Sequence, residues 1–299
     1  MIAQSRTLQL KHTDQDLSMT TFYALLFRLR PSILTQFLKQ LLGIRRRQVK
    51  TQVGLALNVD PVSHFGLEVM STGLYEPAMT NLINTVLRSG DVFVDAGANE
   101  GYFSALGSKR VESGRVFSIE PQSRLIPVIT TNANLNNCAN LSIHHLAFSD
   151  AAGTLELHLS PDTNSGASSL FRRSKLVDNT EMVEAKTLDQ FVRENSIDTI
   201  RFMKIDCEGA EGVIVRGALE TLTARKIEFM TVDFHMPILS EAQVWELDAL
   251  IRSFGYQLTE AGNGIWLYHL PGIEAALLPL GSMRAIAPLA DGNRGSGAH

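Results

Sequence analysis

Carboxylates recur where the apolar stretches of this chain end. Val92-Phe93-Val94 runs into Asp95 and the turn Ala96-Gly97-Ala98-Asn99-Glu100-Gly101, which opens a helix. A second stretch, Arg115 to Ile119, runs into Glu120, 120 − 95 = 25 residues after Asp95. A strand, a glycine turn, a helix and a second strand ending in an acid make a pocket for a nucleoside. An acid about 20 residues beyond the first strand is placed to accept hydrogen bonds from ribose hydroxyls. Asp150 follows the stretch at 141–148, Asp206 ends Ile200–Ile205, and Asp233 and His235 close the stretch from Ile227.

The glycine pattern selects the nucleotide. A dinucleotide pyrophosphate needs G-x-G-x-x-G, so that backbone can approach the phosphates. Here Ala98 and Asn99 stand where the middle glycine would be, and Glu100 would repel a phosphate. S-adenosylmethionine (SAM) has no phosphate, and its ammonium and sulfonium suit an acidic turn. The pattern therefore implies SAM rather than a nicotinamide cofactor. Glu120 would accept the ribose hydroxyls, Asp95 and Gly97 would face the methionine end, and Asp150 would meet the adenine amino group.

A second motif, Lys204-Ile205-Asp206-Cys207-Glu208-Gly209-Ala210-Glu211, places three acids around a helix start. They could serve the helix dipole alone. They could also face a substrate hydroxyl, which is a poor nucleophile until a base takes its proton. Asp206, Glu211 or His235 could be that base, with Lys204 keeping the cluster ionised. Asp206, Asp233 and His235 could instead form an oxygen-and-imidazole metal site; no spacing rule supports it, and no metal is assigned. His144 and His145 lie within a strand and read as core or surface residues.

Strands at 91–95, 115–119, 141–148, 200–206 and 227–234 alternate with helices near 99–110, 122–136, 209–225 and 240–254, Ser240 being an amino cap. A helix at 78–88 precedes them, Thr154 to Leu159 reads as an edge strand, and 256–260 and 264–270 form a closing hairpin. That alternation implies an α/β Rossmann-like, doubly wound, mostly parallel seven-stranded sheet. The expected domains are an amino-terminal, partly helical extension (1–72), a catalytic domain (73–271) and a disordered tail (272–299). The extension would carry two helices split at Pro31.

Of the 299 residues, 44% are hydrophobic and 19% charged, as in ordinary globular chains. A formal charge of −4 argues against a nucleic-acid partner. The clusters Arg45-Arg46-Arg47 and Arg172-Arg173 read as solvated surface. Two cysteines, Cys138 and Cys207, give neither a disulfide framework nor a metal pair, and Met1 to Asp16 has no apolar core, so a cytoplasmic location is expected. Arg28, Arg30, Pro31 and Lys39 interrupt the apolar stretch 22–42, which excludes a spanning helix there. An amphipathic helix packed on its own domain, or in peripheral contact with a membrane, remains open.

Val94 to Tyr102, Ile119-Glu120-Pro121, Ala147-Phe148-Ser149-Asp150 and Lys204 to Glu211 together resemble the FkbM family of SAM-dependent methyltransferases. Tyr75-Glu76-Pro77, Gly166-Ala167-Ser168-Ser169-Leu170 and Thr187-Leu188-Asp189 are similar to family features too. The resemblance spans roughly 73–257 and adds Glu76, Asn99 and Gly101 to the cofactor-binding residues. It implies O-methylation of a hydroxyl on a small molecule, natural product or glycan. Glu100 departs from the family pattern and is expected to alter how the methionine end is held. Cys207, where valine is usual, is a conservative departure. N-methylation, a macromolecular acceptor or a non-catalytic scaffold are the alternatives. The acceptor pocket is expected to draw on residues 160–180 and the amino-terminal helices, with the polar loop Pro161–Ser174 as a lid.

Overall fold

The computed structural model describes residues 14–29, 32–160, 168, 179–235, 238–262, 264–280 and 284–285. Pro31, Arg172-Arg173, the rest of the Pro161–Ser174 loop apart from Ser168, and residues 286–299 lie outside the described residues.

The chain begins with helices α1 (Asp14–Phe27) and α2 (Ser32–Leu41). A hairpin that the sequence pattern did not announce follows, β1 (Arg47–Lys50) against β2 (Ala56–Val59). Helices α3 (His64–Thr72) and α4 (Pro77–Val86) lead into the sheet. Then come β3 (Val92–Ala96), α5 (Tyr102–Val111), β4 (Arg115–Ile119), α6 (Ile126–Leu135) and β5 (Leu141–His144). The single strand expected at 141–148 is two. After His144 the chain leaves the sheet, and β6 (Ala147–Phe148) joins β7 (Gly153–His158) and β8 (Thr180–Lys186) in a separate three-stranded sheet. Leu146 and Phe148 are buried in the same apolar cluster as Phe117 and Ile205, and Phe148 meets the Phe191 ring, a tertiary demand that alternation along 141–148 does not reveal.

The second half carries α7 (Leu188–Glu194), β9 (Ile200–Ile205), α8 (Glu211–Arg216), α9 (Leu219–Thr223), β10 (Ile227–Val232), α10 (Glu241–Ser253), β11 (Gln257–Glu260) and β12 (Trp266–His269). The helix expected at 209–225 is broken at Gly217, where a Cβ would lie 2.0 Å from the Ser149 carbonyl oxygen. Ser240 and Gln243 form a capping box at the start of α10. The tail is not loose from residue 272. Glu274–Leu280 is a 3-10 helix with Leu277 fully buried, and β13 (Arg284–Ala285) pairs with β11.

The main sheet has the order β13-β11-β12-β10-β9-β3-β4-β5. Strands β5, β4, β3, β9 and β10 are parallel and β12 is antiparallel to β10, so the expected seven-stranded sheet is present with one short extra edge. The parallel strands are apolar on both faces, as double coverage requires. Val94, Met203 and Met230 face a cluster built with α7, α8 and α10; Phe93, Phe202 and Phe229 face another built with α3, α4 and α5. Lys204 and Asp95 alternate onto that second face and are buried there. No helix among the described residues is long and apolar enough to cross a membrane.

Candidate active site

The carboxyl ends of β3, β4, β9 and β10 open into a cavity of ≈ 390 Å³. Its base is the turn after β3. Gly97 has φ +81°, and a Cβ on it would lie 1.9 Å from the Asp206 carbonyl oxygen, so only glycine lets the two strand ends touch. Asn99 takes a left-handed φ of 50° and donates its backbone N–H to Glu120 Oε2 at 2.8 Å. The Gln122 amide donates to Glu120 Oε1 at 3.0 Å. Glu120 is 2% exposed and has no ion pair among the described residues. Burial pushes its carboxyl up to about 7, against the pull of the two amides. Ile119, Pro121, Phe148, Leu157 and Ile214 supply apolar walls beside it.

The other end of the cavity is ionic. Lys204, buried in the central strand β9, donates to Asp206 Oδ2 at 2.9 Å and lies 3.8 Å from Asp95 Oδ1. Burial alone would lower the Lys204 pKa, but Asp206, Asp95 and Glu76 hold it above its usual value. Burial would likewise raise Asp206, but the Lys204 ammonium holds it below the carboxylate range. His235 Nδ1 is 2.9 Å from Oε1 of the fully buried Glu211. The same Oε1 accepts from the amides of Cys207 and Gly209. His235 Nε2 is then left toward Asp206 Oδ1 (3.7 Å) and Glu208 Oε2 (3.6 Å). Burial opposes the charge on His235, but the Glu211 bond, with Glu208 and Asp206, lifts it to about 9. Burial pushes both Glu76 and Glu208 up to about 7.

A second cavity of ≈ 280 Å³ adjoins the first, sharing Glu76, Asp206 and Asp233 and reaching Met79, Thr231 and Trp266. Glu76, Asn99 and Glu208 on these walls are non-glycine residues at positive φ, an unfavourable backbone state. Asp206, Asp233 and His235 offer ligand atoms within 4.8 Å of one another, though Lys204 already meets the Asp206 charge.

Of the residues expected from sequence, Glu76, Gly97, Asn99, Glu120, Asp206 and His235 line the first cavity. Asp95 and Glu211 stand behind it, bonded to Ser104 and His235 respectively. Gly101 starts α5 against Ile129 and does not line it. Asp150 is outside: its carboxylate is half-exposed, accepts from Ser149 Oγ and lies 3.9 Å from Arg216. Glu100 also points away. It is 2% exposed and takes a two-pronged pair from Arg46 (2.7 and 3.1 Å), which in turn donates to the Asn58 carbonyl. Arg46 is thus part of the fold rather than solvated surface. No motif marks Ser63, His64 and Phe65, which wall the cavity from the start of α3. Gln122 was missed too, although its place two residues beyond Glu120 was a signal. It accepts from Ser168 and Arg124, joining the Glu120 turn to the one described residue of the loop.

The profile of the Methyltransferase FkbM domain family matches residues 95–258. Methyltransferase sdnD of Sordaria araneosa is 24% identical over 196 residues, covering 55% of this chain and 75% of that protein. 2-O-methyltransferase NoeI of Sinorhizobium fredii is 23% identical over 178 residues, covering 54% and 71%. Among solved structures, a putative rRNA-methylase from Clostridium thermocellum aligns with TM-score 0.42 at 12% identity, over 64% of this chain and 92% of that one. TYW2 of M. jannaschii in complex with AdoMet aligns with TM-score 0.38 at 15% identity, over 75% and 83%.

Proposed function

This chain belongs to the FkbM methyltransferase family, and from that premise we propose that it O-methylates a hydroxyl on a small molecule, natural product or glycan. It is a SAM-dependent methyltransferase. The residues suit that cofactor. Glu120, free of any cation among the described residues, accepts two amides and retains oxygen lone pairs for a ribose diol. Gly97 leaves backbone exposed where a side chain could not fit. Asn99 belongs to the same turn, and Glu76 and Asp206 offer negative charge to the cationic end. When bound, the cofactor supplies an electrophilic methyl group on a sulfonium.

The rest of the chemistry falls to the protein. The observation that carries the proposal is the His235–Glu211 pair, at 2.9 Å, with the ring on the wall of the first cavity and Nε2 left toward Asp206, which the two cavities share. Glu211 fixes the ring and favours a proton on Nδ1, so deprotonated Nε2 can take the hydroxyl proton as the oxygen attacks. In the free protein the acids keep His235 charged up to about pH 9. A cation beside Asp206 weakens that hold and brings the ring toward working pH. Lys204 pins Asp206 and stays charged. The second cavity suits the acceptor: Trp266 offers a flat apolar surface, and the carboxylates accept from hydroxyls. The relative NoeI, a 2-O-methyltransferase, supports the same reading.

The test is a pH–rate profile with labelled cofactor and a panel of hydroxylated acceptors. The rate is expected to rise with pH as the base deprotonates. His235→Gln is expected to lower it by about 10²–10⁴, while Glu208→Gln keeps the rising limb. A profile that is unchanged in His235→Gln and loses its limb near pH 7 in Glu208→Gln would assign the base to Glu208 instead.

A further inference from the structure

Charge is unevenly spread along this chain. Residues 17–59 contain seven Lys and Arg and no Asp or Glu, within a chain whose formal charge is −4; the remainder therefore carries −4 − 7 = −11. The same segment concentrates exposed apolar surface. Seven of the nine large hydrophobic residues that stand exposed among the described residues lie between Met19 and Leu42. Phe22 and Leu25 are three apart on α1, and Leu34, Phe37 and Leu41 follow i, i+3, i+7 spacing on α2, so each helix gathers them on one face. Phe37 is 60% and Leu41 70% exposed.

These are second faces, not a core left open. The inner side of α1 is occupied by Tyr23 and Leu26, which pack with Val62. Thr35 of α2 is buried and donates to the Leu26 carbonyl. Two of the cations are committed to the fold, Lys39 to Asp60 and Arg46 to Glu100. Arg28, Arg45, Arg47 and Lys50 are exposed and make no ion pair among the described residues.

We propose that α1, α2 and the Arg45–Lys50 segment seat the protein on a membrane surface containing anionic lipid. Aromatic and aliphatic side chains on one helical face bury at the headgroup–acyl boundary, and neighbouring cations pair with lipid phosphates. Either contribution alone is weak; together they give stable peripheral attachment. A second copy of the chain fits the surface poorly, because two such faces would bring like charges together. RNA fits less well than lipid, because the exposed face is rich in leucine rather than in aromatic platforms for bases. The surface adjoins the active site: α1 packs on α3, whose His64 and Phe65 wall the donor cavity.

The test is co-sedimentation of the full chain with phosphatidylcholine vesicles, with and without phosphatidylglycerol. Binding is expected on the anionic vesicles, at least about tenfold weaker on phosphatidylcholine alone, and reduced by salt. F37D/L41D is expected to lose at least about tenfold in affinity, and R45E/R47E about fivefold per cation. Both variants alter exposed residues outside the cavities, so thermal unfolding and binding of S-adenosylhomocysteine should match the wild type. Failure of the wild type to sediment with anionic vesicles, or variants that sediment equally well, overturns the proposal. A dimer dissolved by F37D/L41D without vesicle binding would make the face a self-association surface. RNA retention lost in R45E/R47E without vesicle binding would make it an RNA surface. Either result overturns the membrane assignment.

Discussion

Glu120 and Asp206 end β4 and β9, the two strands that flank β3, yet the protein holds them differently. Glu120 accepts from the amides of Asn99 and Gln122 and meets no cation among the described residues, and burial raises its carboxyl to about 7. Asp206 has the Lys204 ammonium at 2.9 Å and His235 beyond it, and is held below the usual range. Amide dipoles fix a carboxylate in place without cancelling its charge, which leaves it needing further donors. An ammonium satisfies it outright. The donor end of the site therefore holds a carboxylate with no cation among the described residues, whereas at the ionic end Asp206 has its own cation, although Asp95 Oδ1 and Glu211 Oε2 behind it are buried without a hydrogen-bond partner.

The contrast fails if removing a partner has the same consequence at both ends. Lys204→Met leaves the buried Asp95 and the half-buried Asp206 without their cation, and we expect a loss of about 3–5 kcal/mol, read as a Tm lower by roughly 10 °C. A smaller loss, about 1.5–3 kcal/mol in urea unfolding, is expected for Arg46→Met, which strands the buried Glu100. Because that pair ties the β1–β2 hairpin to the turn after β3, weaker cofactor binding should accompany it. Glu120→Gln should be nearly neutral in the cofactor-free protein near pH 5 and slightly stabilising near pH 8.

The last sign follows from linkage. A carboxyl raised to about 7 on folding contributes stability below its unfolded pKa, and that contribution is lost as pH rises through about 7. Asp206, lowered on folding, contributes stability above its unfolded pKa and loses it as pH falls through its folded value. Urea midpoints of wild type and Glu120→Gln at the two pH values check this. A variant that is less stable at both would mean Glu120 is a structural acid.

Much of the donor end was legible because its parts are local. An acid at a strand end, a glycine that must accept positive φ, and a second strand end 25 residues on are fixed by backbone geometry. The motif from Lys204 to Glu211 was legible for the same reason. Pairings between distant segments were not. Glu100 reads as an acid beside the cofactor turn, but Arg46, 54 residues earlier, takes it out of the cavity. Asp150 follows a strand in sequence, but the chain leaves the sheet after His144, and the acid comes to rest near Arg216. Which helix face is buried, and whether an alternating run stays in one sheet, depend on packing partners that hydropathy does not name.

Calorimetric titration with S-adenosylhomocysteine, of wild type and Glu120→Gln across pH 6–8, tests the central contrast most directly. Ribose hydroxyls donate best to an ionised Glu120, so wild-type affinity should fall as pH drops below about 7. The variant should bind at least about tenfold more weakly at pH 8, with that pH dependence gone. Equal affinity in the two proteins, or the same slope in both, would contradict the assignment of Glu120 as the open carboxylate of the donor site.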